Sequence, residues 1–155
     1  MNLTTEEYDL LKQAYKIGGR SPGRESEENL DLFEQQYVKI PSDYRWLLKE
    51  FGGCHLLDPE INPLVLLYED YKDYIEHYVS EPTVGEDFFP CGTVNGDMVG
   101  IIRSTDQVGI LYHDMILEST AGLEIIATSF KELIMTLAKN RLEIETLISD
   151  SLESD

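Results

Sequence analysis

The chain has few basic residues. Among its 155 residues are 12 lysines and arginines against 30 aspartates and glutamates, which gives a formal net charge of −18. A field of that sign repels the phosphates of nucleic acids and the headgroups of anionic membranes, so we expect neither as a partner. It attracts a basic protein and would speed their encounter. The charge alone also allows a simpler interpretation, in which the acidity only keeps the protein in solution.

Long hydrophobic runs and cysteine motifs are lacking too. No run approaches the roughly 18 apolar residues that a membrane span needs. Cys54 and Cys91 stand outside any Cys-x-x-Cys spacing, so we expect reduced core thiols rather than a disulfide or a zinc site. The first residues are polar and acidic, unlike a signal peptide, and we therefore expect a cytoplasmic protein.

No catalytic motif is recognisable. The chain contains neither a His-Glu-x-x-His helix nor a Gly-x-Ser-x-Gly elbow. His113 and Asp114 are adjacent at the end of a predicted strand, where neighbouring side chains point to opposite faces. A catalytic or metal site would need a further ligand such as Asp97, if the sheet brought it near. We interpret His113 and Asp114 instead as a strand-end pair that hydrogen-bonds a turn. The sequence thus predicts no enzyme, no catalytic residue, no metal ligand and no cofactor.

The central feature that the chain does have is a tightly bounded helix. Pro41 suits a first helical position, and Gly52 is placed for a left-handed C-cap. Between them, apolar residues recur at helical spacing, namely Tyr44, Leu47, Leu48 and Phe51. Trp46 lies off that stripe. It predicts either a second packed face, with the helix clamped between two layers, or an exposed anchor for a partner.

Three more helices are predicted from their capping residues. Thr4 with Glu7 forms a capping box for a first helix that stops near Gly18 and Gly19, Ser26 can cap a second, and Ser129 with Glu132 opens the last. The stretch Arg20–Arg24 contains chain breakers and predicts a mobile connection, so the first helix is expected to be loosely attached.

The middle of the chain predicts mostly strands. We expect loops at 54–62 and 81–87, a buried strand at 64–68 and an amphipathic helix at 69–79. Further strands are expected at 88–94, 98–102, 108–112 and 123–127, the first two joined by an Asn95-Gly96 hairpin turn. Together these elements predict a single α+β domain. It contains an antiparallel, mostly meandering sheet of about 4–6 strands, with an N-terminal helical hairpin and a C-terminal helix packed on it.

The acidic residues are concentrated in this middle part. From Glu50 to Phe130 the chain has fifteen acidic residues and only two basic ones, Lys72 and Arg103, a balance of −13. Tyrosine is favoured where a protein meets a partner, although the spacing of the tyrosines on the predicted helix alone favours core packing. We therefore predict a partner-binding surface formed by Trp46, Tyr71, Asp73, Glu76, Glu86 and Asp87.

Several motifs, in their order along the chain, resemble the SUKH superfamily. They are the helix from Ile40-Pro41 to Gly52-Gly53, Phe89-Pro90-Cys91-Gly92, Asn95-Gly96-Asp97-Met98-Val99, Tyr112-His113-Asp114 and Ala127–Leu133. The resemblance covers about Ser26 to Leu137. It implies an antiparallel sheet with packed helices, and domain limits of 1–25 for a helical extension and linker, 26–148 for the SUKH-like domain and 149–155 for an acidic tail.

The resemblance also implies a function. The superfamily includes bacterial immunity proteins, so this chain is expected to bind and neutralise a cognate toxin, such as a nuclease, through its acidic surface. The alternative is a regulatory or scaffold module of the Smi/Knr type, which binds several cellular proteins.

Overall fold

Six helices and five strands make up the described part of the chain, residues 1–18 and 23–153 of a computed structural model. The helices are α1 (Thr5–Gly18), α2 (Glu27–Gln36), α3 (Ser42–Glu50), α4 (Leu64–His77), α5 (Pro82–Asp87) and α6 (Phe130–Glu153). The strands are β1 (Glu60–Ile61), β2 (Phe88–Val94), β3 (Asp97–Ile102), β4 (Val108–Leu111) and β5 (Glu124–Ala127). Most of the predicted connection at 20–24 lies outside the described residues.

The five strands form one antiparallel sheet in the order β1-β2-β3-β4-β5. This simple meander, with helices packed on it, confirms the predicted α+β fold. At the β2–β3 turn, Asn95 and Gly96 have φ angles of 51° and 83°. A type I′ turn needs positive φ at both central residues, which explains why Asn-Gly marks the hairpin in the sequence.

The predicted helix caps are present. In α1, the backbone N–H of Glu7 donates to Thr4 Oγ1 at 3.1 Å and that of Thr4 donates to Glu7 Oε1 at 3.0 Å, which completes the capping box. Ser26 accepts a hydrogen bond from the N–H of Asn29 at the start of α2. Gly52 has a φ of 90° directly after α3, so that helix ends in the left-handed conformation expected there.

Helix α1 is firmly attached, and the expectation of a loose extension is wrong. Leu11 and Ala14 are fully buried, and α1 packs along α6. The Tyr15 ring stacks on Phe51 with 4.4 Å between centroids, and its hydroxyl donates to the carbonyl oxygen of Gly53 at 3.1 Å. These contacts join residues far apart in sequence, so the local chain breakers that follow α1 could not reveal them.

The strand predicted at 64–68 is wrong, because these residues form the first turns of α4. The buried residues of this helix recur every three or four positions: Leu64, Leu67, Tyr71 and Tyr74. Val65 between them is 66% exposed. A short apolar run cannot be assigned by periodicity alone, and here the period only becomes visible when the run is joined to the tyrosines that follow.

Both predicted loops contain regular structure. Within 54–62, β1 pairs with the end of β2, where a Cβ on Gly92 would lie 2.1 Å from the carbonyl oxygen of Glu60. Only glycine permits such an approach of two backbones. Within 81–87 lies the short helix α5, with Pro82 in its first turn. It is held to α4 by the Tyr74 hydroxyl, which donates to the carbonyl oxygen of Gly85 at 2.9 Å.

Candidate partner-binding surface

Ion pairs divide the molecule into a neutralised and an unneutralised part. Arg45 is bonded to three carboxylates of α2, and three other basic side chains pair on the helical side in Lys49–Glu27, Lys131–Glu7 and Arg141–Glu145. Among the described residues, no acidic side chain between positions 50 and 130 lies within ion-pair distance of a lysine or arginine, and their only ion-pair partners are histidines. In the described part of the chain, the acidic side chains of α4, α5 and the sheet therefore lack the lysine and arginine ion pairs found on the helical side, and only the more distant charge of Arg103 acts on Asp87.

A shallow groove of about 300 Å³ lies between α4 and α5. We call it the α4–α5 groove; it is lined by Tyr71, Ile75, Val79, Ser80, Glu81, Pro82, Gly85 and Glu86. Ile75 is 44% exposed, so the groove offers apolar surface to a partner, while Glu81 and Glu86 supply negative charge to its lining. The groove brings together two residues of the predicted surface, Tyr71 and Glu86.

Two more predicted residues lie on the exposed face of α4. Asp73 and Glu76 are both exposed, and His77 Nε2 lies 3.8 Å from Asp73 Oδ1 and 3.9 Å from Glu76 Oε2. Between positions 69 and 87 the chain has seven acidic residues and one basic residue, Lys72. These side chains extend the acidic surface along α4 from the groove.

The two aromatic residues of the predicted partner surface, Tyr71 and Trp46, pack against other side chains of the molecule. Tyr71 is only 8% exposed and its ring lies 5.5 Å from that of Phe89 in the core. Trp46 is partly buried and meets Tyr8 of α1 edge-on at 6.3 Å. Helix α3 is thus packed on two faces, as its sequence suggests, and Trp46 does not line the α4–α5 groove.

Asp87, the last predicted residue, supports the fold from the end of α5. Its carboxylate accepts hydrogen bonds from the backbone N–H and hydroxyl of Ser104, at 2.8 and 2.9 Å, and from the Thr120 hydroxyl at 2.7 Å. Burial acts to raise the pKa of Asp87, but the bonds from Thr120 and Ser104 outweigh it and hold that pKa below its ordinary value. The carboxylate therefore ties the β3–β4 turn and the β4–β5 connection to α5.

A second acidic cluster, which the sequence pattern did not reveal, surrounds Tyr78 at the end of α4. Burial, followed by the negative charges of Asp73, Asp97, Asp114 and Asp70, raises the pKa of the Tyr78 hydroxyl. The β4–β5 connection lies alongside, because the N–H of Leu117 donates to the carbonyl oxygen of Tyr78 at 2.7 Å. That connection exposes three apolar side chains, Tyr112, Met115 and Ile116. Apolar residues in a stretch between strands are the one sequence signal that could have indicated this surface.

His113 and Asp97 form the best-defined pair in this cluster. Asp97 Oδ1 accepts from the backbone N–H of His113 at 3.0 Å and lies 2.8 Å from its Nδ1, while Nε2 is 3.3 Å from Asp114. The predicted pair therefore differs in its bonding: His113 and Asp114 lie in the turn after β4, and His113 is bonded to Asp97 at the start of β3. The bond to Asp97 raises the pKa of His113, and the same bond lowers the pKa of Asp97.

We expect the pKa of His113 to lie above 6.5 and to fall towards that value in Asp97→Asn. A histidine whose pKa is raised by folding stabilises the fold at a pH below the pKa that it has in the unfolded chain. This contribution is lost as the pH rises through the pKa of the folded protein. The lowered pKa of Asp97 stabilises the fold above pH 3.8, its unfolded pKa, and this contribution is lost as the pH falls through the folded pKa. The pair therefore stabilises the fold fully between pH 3.8 and pH 6.5, the unfolded pKa values of aspartate and histidine. An NMR titration of the imidazole measures the shift. Asp106→Asn, in the exposed β3–β4 turn, serves as control, and an equal pKa in wild type and Asp97→Asn contradicts the assignment.

The cysteines are free and buried, as the sequence predicts. Burial raises the pKa of Cys54 to about 11 and raises that of Cys91 as well, so both thiols stay protonated at neutral pH.

In the described ranges, no group of three or more His, Cys, Asp or Glu side chains could hold a metal ion. No helix within those ranges combines the length and apolarity needed to cross a membrane.

The fold and surface define a class: single-domain α+β proteins with an antiparallel meander, packed helices and a charged face. Within that class, residues 25–136 match the model of the SMI1 / KNR4 family (SUKH-1), and the chain belongs to this family. The match confirms the resemblance seen in the motifs, and the family indicates a protein-interaction domain. No curated protein matches the chain significantly.

Proposed function

We propose that this chain is a non-catalytic, cytoplasmic immunity protein of a bacterium. It binds a cognate toxin with a basic surface, such as a nuclease, and neutralises it. Binding places the exposed acidic side chains of α4 and α5 against the basic residues with which the toxin contacts its substrate, so that carboxylates occupy the positions of substrate phosphates. Asp73, Glu76, Glu81 and Glu86 supply the charge, and Ile75 supplies apolar contact in the α4–α5 groove.

One observation carries the proposal: the carboxylates of this face have no lysine or arginine partner within the described residues. Elsewhere in the molecule, three of the four acidic side chains of α2 are paired with Arg45 or Lys49, namely Glu27, Asp31 and Glu34. An excess of charge that served only solubility needs no such segregation. A one-signed face beside an apolar groove is suited to steering and holding a partner of opposite charge.

The absence of catalysis is part of the proposal. The two thiols are buried and protonated, so they are poor nucleophiles. His113 is exposed and bonded to Asp97 at the start of the central strand β3, and the α4–α5 groove is lined by no histidine or cysteine. A binding function needs only the acidic surface and the groove, and it requires no reactive group.

The alternative is a regulatory module of the Smi/Knr type, and the family description itself names that branch. Such a module uses the same acidic face for several weak partners instead of one tight partner. The number and affinity of the partners distinguish the two functions.

A tagged protein, captured from its native cells and tested against the products of adjacent open reading frames, separates these functions. An immunity protein yields one tight complex with a partner that is lethal when expressed alone. Several weak partners without lethality support the regulatory module. Tight binding to an acidic or neutral protein contradicts the role of the acidic face.

A further inference from the structure

In the last three turns of α6 the large apolar side chains are exposed to solvent. Helices α1 and α6 run in the same direction, since Glu7 pairs with Lys131 near their starts and Gly18 lies against Arg141. Helix α1 ends at Gly18, whereas α6 continues to Glu153. The part of α6 after Arg141 therefore extends past the helix that covers its first half.

This extension carries an apolar stripe at helical spacing. The stripe consists of Ile144, Leu147, Ile148 and Leu152, which together with Ser151 line a shallow depression of about 300 Å³. Leu147 and Leu152 are 67% and 73% exposed, the largest exposed fractions among the large hydrophobic side chains of the described residues. Large aliphatic residues that repeat on one face over two turns are typical of a helix that docks against another.

The charges around the stripe determine what can cover it. The charged residues on its flanks are all acidic, Glu143, Glu145, Asp150 and Glu153, and the sequence contains no lysine or arginine after Arg141. Arg141 itself is paired with Glu145 at 2.7 Å. A second copy of this chain would bring carboxylates against carboxylates. From Ile144 to Leu152 the stripe is about 12 Å long, which is short for a self-associating coiled coil that must also overcome this repulsion.

We propose that the apolar stripe of the α6 extension binds a basic amphipathic helix of another protein. Leucine or isoleucine side chains of that helix cover Leu147 and Leu152, and its lysines or arginines flank the stripe and pair with the surrounding carboxylates. The stripe lies beyond residue 136, where the family match ends. It forms a second surface outside the matched residues, separate from the α4–α5 groove.

Fluorescence anisotropy with a labelled synthetic helix tests this proposal on the full-length protein. The probe is a peptide of leucine and lysine whose leucines follow the i, i+3, i+4, i+7 pattern, and a scrambled peptide of equal composition controls for charge alone. The double variant Leu147→Ser/Leu152→Ser removes the exposed stripe. Val65→Ser, at a 66% exposed position of α4, is the matched control because it removes apolar surface elsewhere.

We expect the double variant to weaken peptide binding by at least about ten-fold, since two large apolar contacts are lost. Val65→Ser should bind like wild type, and the scrambled peptide should bind weakly to all three. Circular dichroism checks that the variants keep their helix content. Equal peptide affinity in wild type and double variant overturns the proposal. It is also overturned if the wild type sediments as a dimer and the double variant as a monomer, because the stripe is then covered by a second copy.

Discussion

Reversing three charges on α4 and α5 is expected to slow association with the basic partner by about ten- to a hundred-fold at low salt. The variant is Asp73→Lys/Glu76→Lys/Glu86→Lys. All three side chains are exposed and none accepts a hydrogen bond from the described backbone, so the fold should tolerate the change. Long-range attraction acts before contact, and its loss therefore appears in the association rate more than in the dissociation rate. Stopped-flow or surface plasmon measurements over a salt series give both rates.

The control must carry the same change of net charge at another place. Glu6→Lys/Asp9→Lys/Glu28→Lys does so on α1 and α2, where all three acidic side chains are exposed. We expect its association rate to fall much less, because the reversed charges lie outside the proposed binding face. The wild-type rate should also drop steeply with salt, since exposed charges are screened within about 10 Å at 0.1 M. If both variants slow association equally, the effect comes from the net charge of the protein, and the proposed face of α4 and α5 has no special role.

Asp87 is left out of this variant for a structural reason. Its carboxylate accepts three hydrogen bonds that hold two neighbouring connections to α5. A lysine at position 87 would break them, so slower binding could then reflect a changed fold. Glu86 next to it is exposed and lines the groove, and it reports on the surface without that ambiguity.

Phe33→Ala is expected to lower the free energy of unfolding by about 3–5 kcal/mol. Phe33 is fully buried, and its ring lies 5.0–6.3 Å from the rings of Tyr37, Tyr68, Tyr71 and Phe89. These contacts join α2 to α4 and to β2 through one side chain. Truncation leaves a cavity among large rigid rings that cannot easily close over it, in addition to the lost burial. Chemical denaturation of wild type and variant measures the difference.

The neighbouring residue gives the matched control for this effect. Leu32 is 50% exposed on the same helix, and Leu32→Ala should change the free energy of unfolding by no more than about 0.5 kcal/mol. Phe33→Leu should recover much of the loss, because it refills most of the cavity. A loss below about 1 kcal/mol in Phe33→Ala would contradict the central position of this ring.

Local chemistry made much of the fold predictable. The caps at Thr4, Ser26 and Ser129 and the turn at Asn95–Gly96 each depend on a few adjacent residues, and such signals are legible in a single sequence. The errors came from longer-range effects. The apolar run at 64–68 alone is typical of a strand, and its helical period appears only together with the residues that follow. Strand β1 forms because Gly92 of the distant strand β2 lets the backbone of Glu60 approach closely.

The candidate surface was predictable in its charge and less so in its geometry. Composition alone identified the acidic middle of the chain, and α4 exposes Asp73 and Glu76 as its helical spacing requires. An aromatic residue gives no such guidance, because the same spacing suits a core contact or a partner contact. The positions of Tyr71 in the core and Trp46 against α1 depend on which elements pack beside them. The acidic cluster around Tyr78 brings together three separate segments, so the apolar residues of the β4–β5 connection are the one local signal for it.

Growth of cells that produce the toxic partner tests the central claim most directly. Co-expression of the wild-type chain should restore growth, and so should the control with reversed charges on α1 and α2. The variant with lysine at positions 73, 76 and 86 should fail to restore growth while accumulating as a folded protein to the same level. Full rescue by this variant would contradict the claim that the unneutralised face of α4 and α5 binds and neutralises the partner.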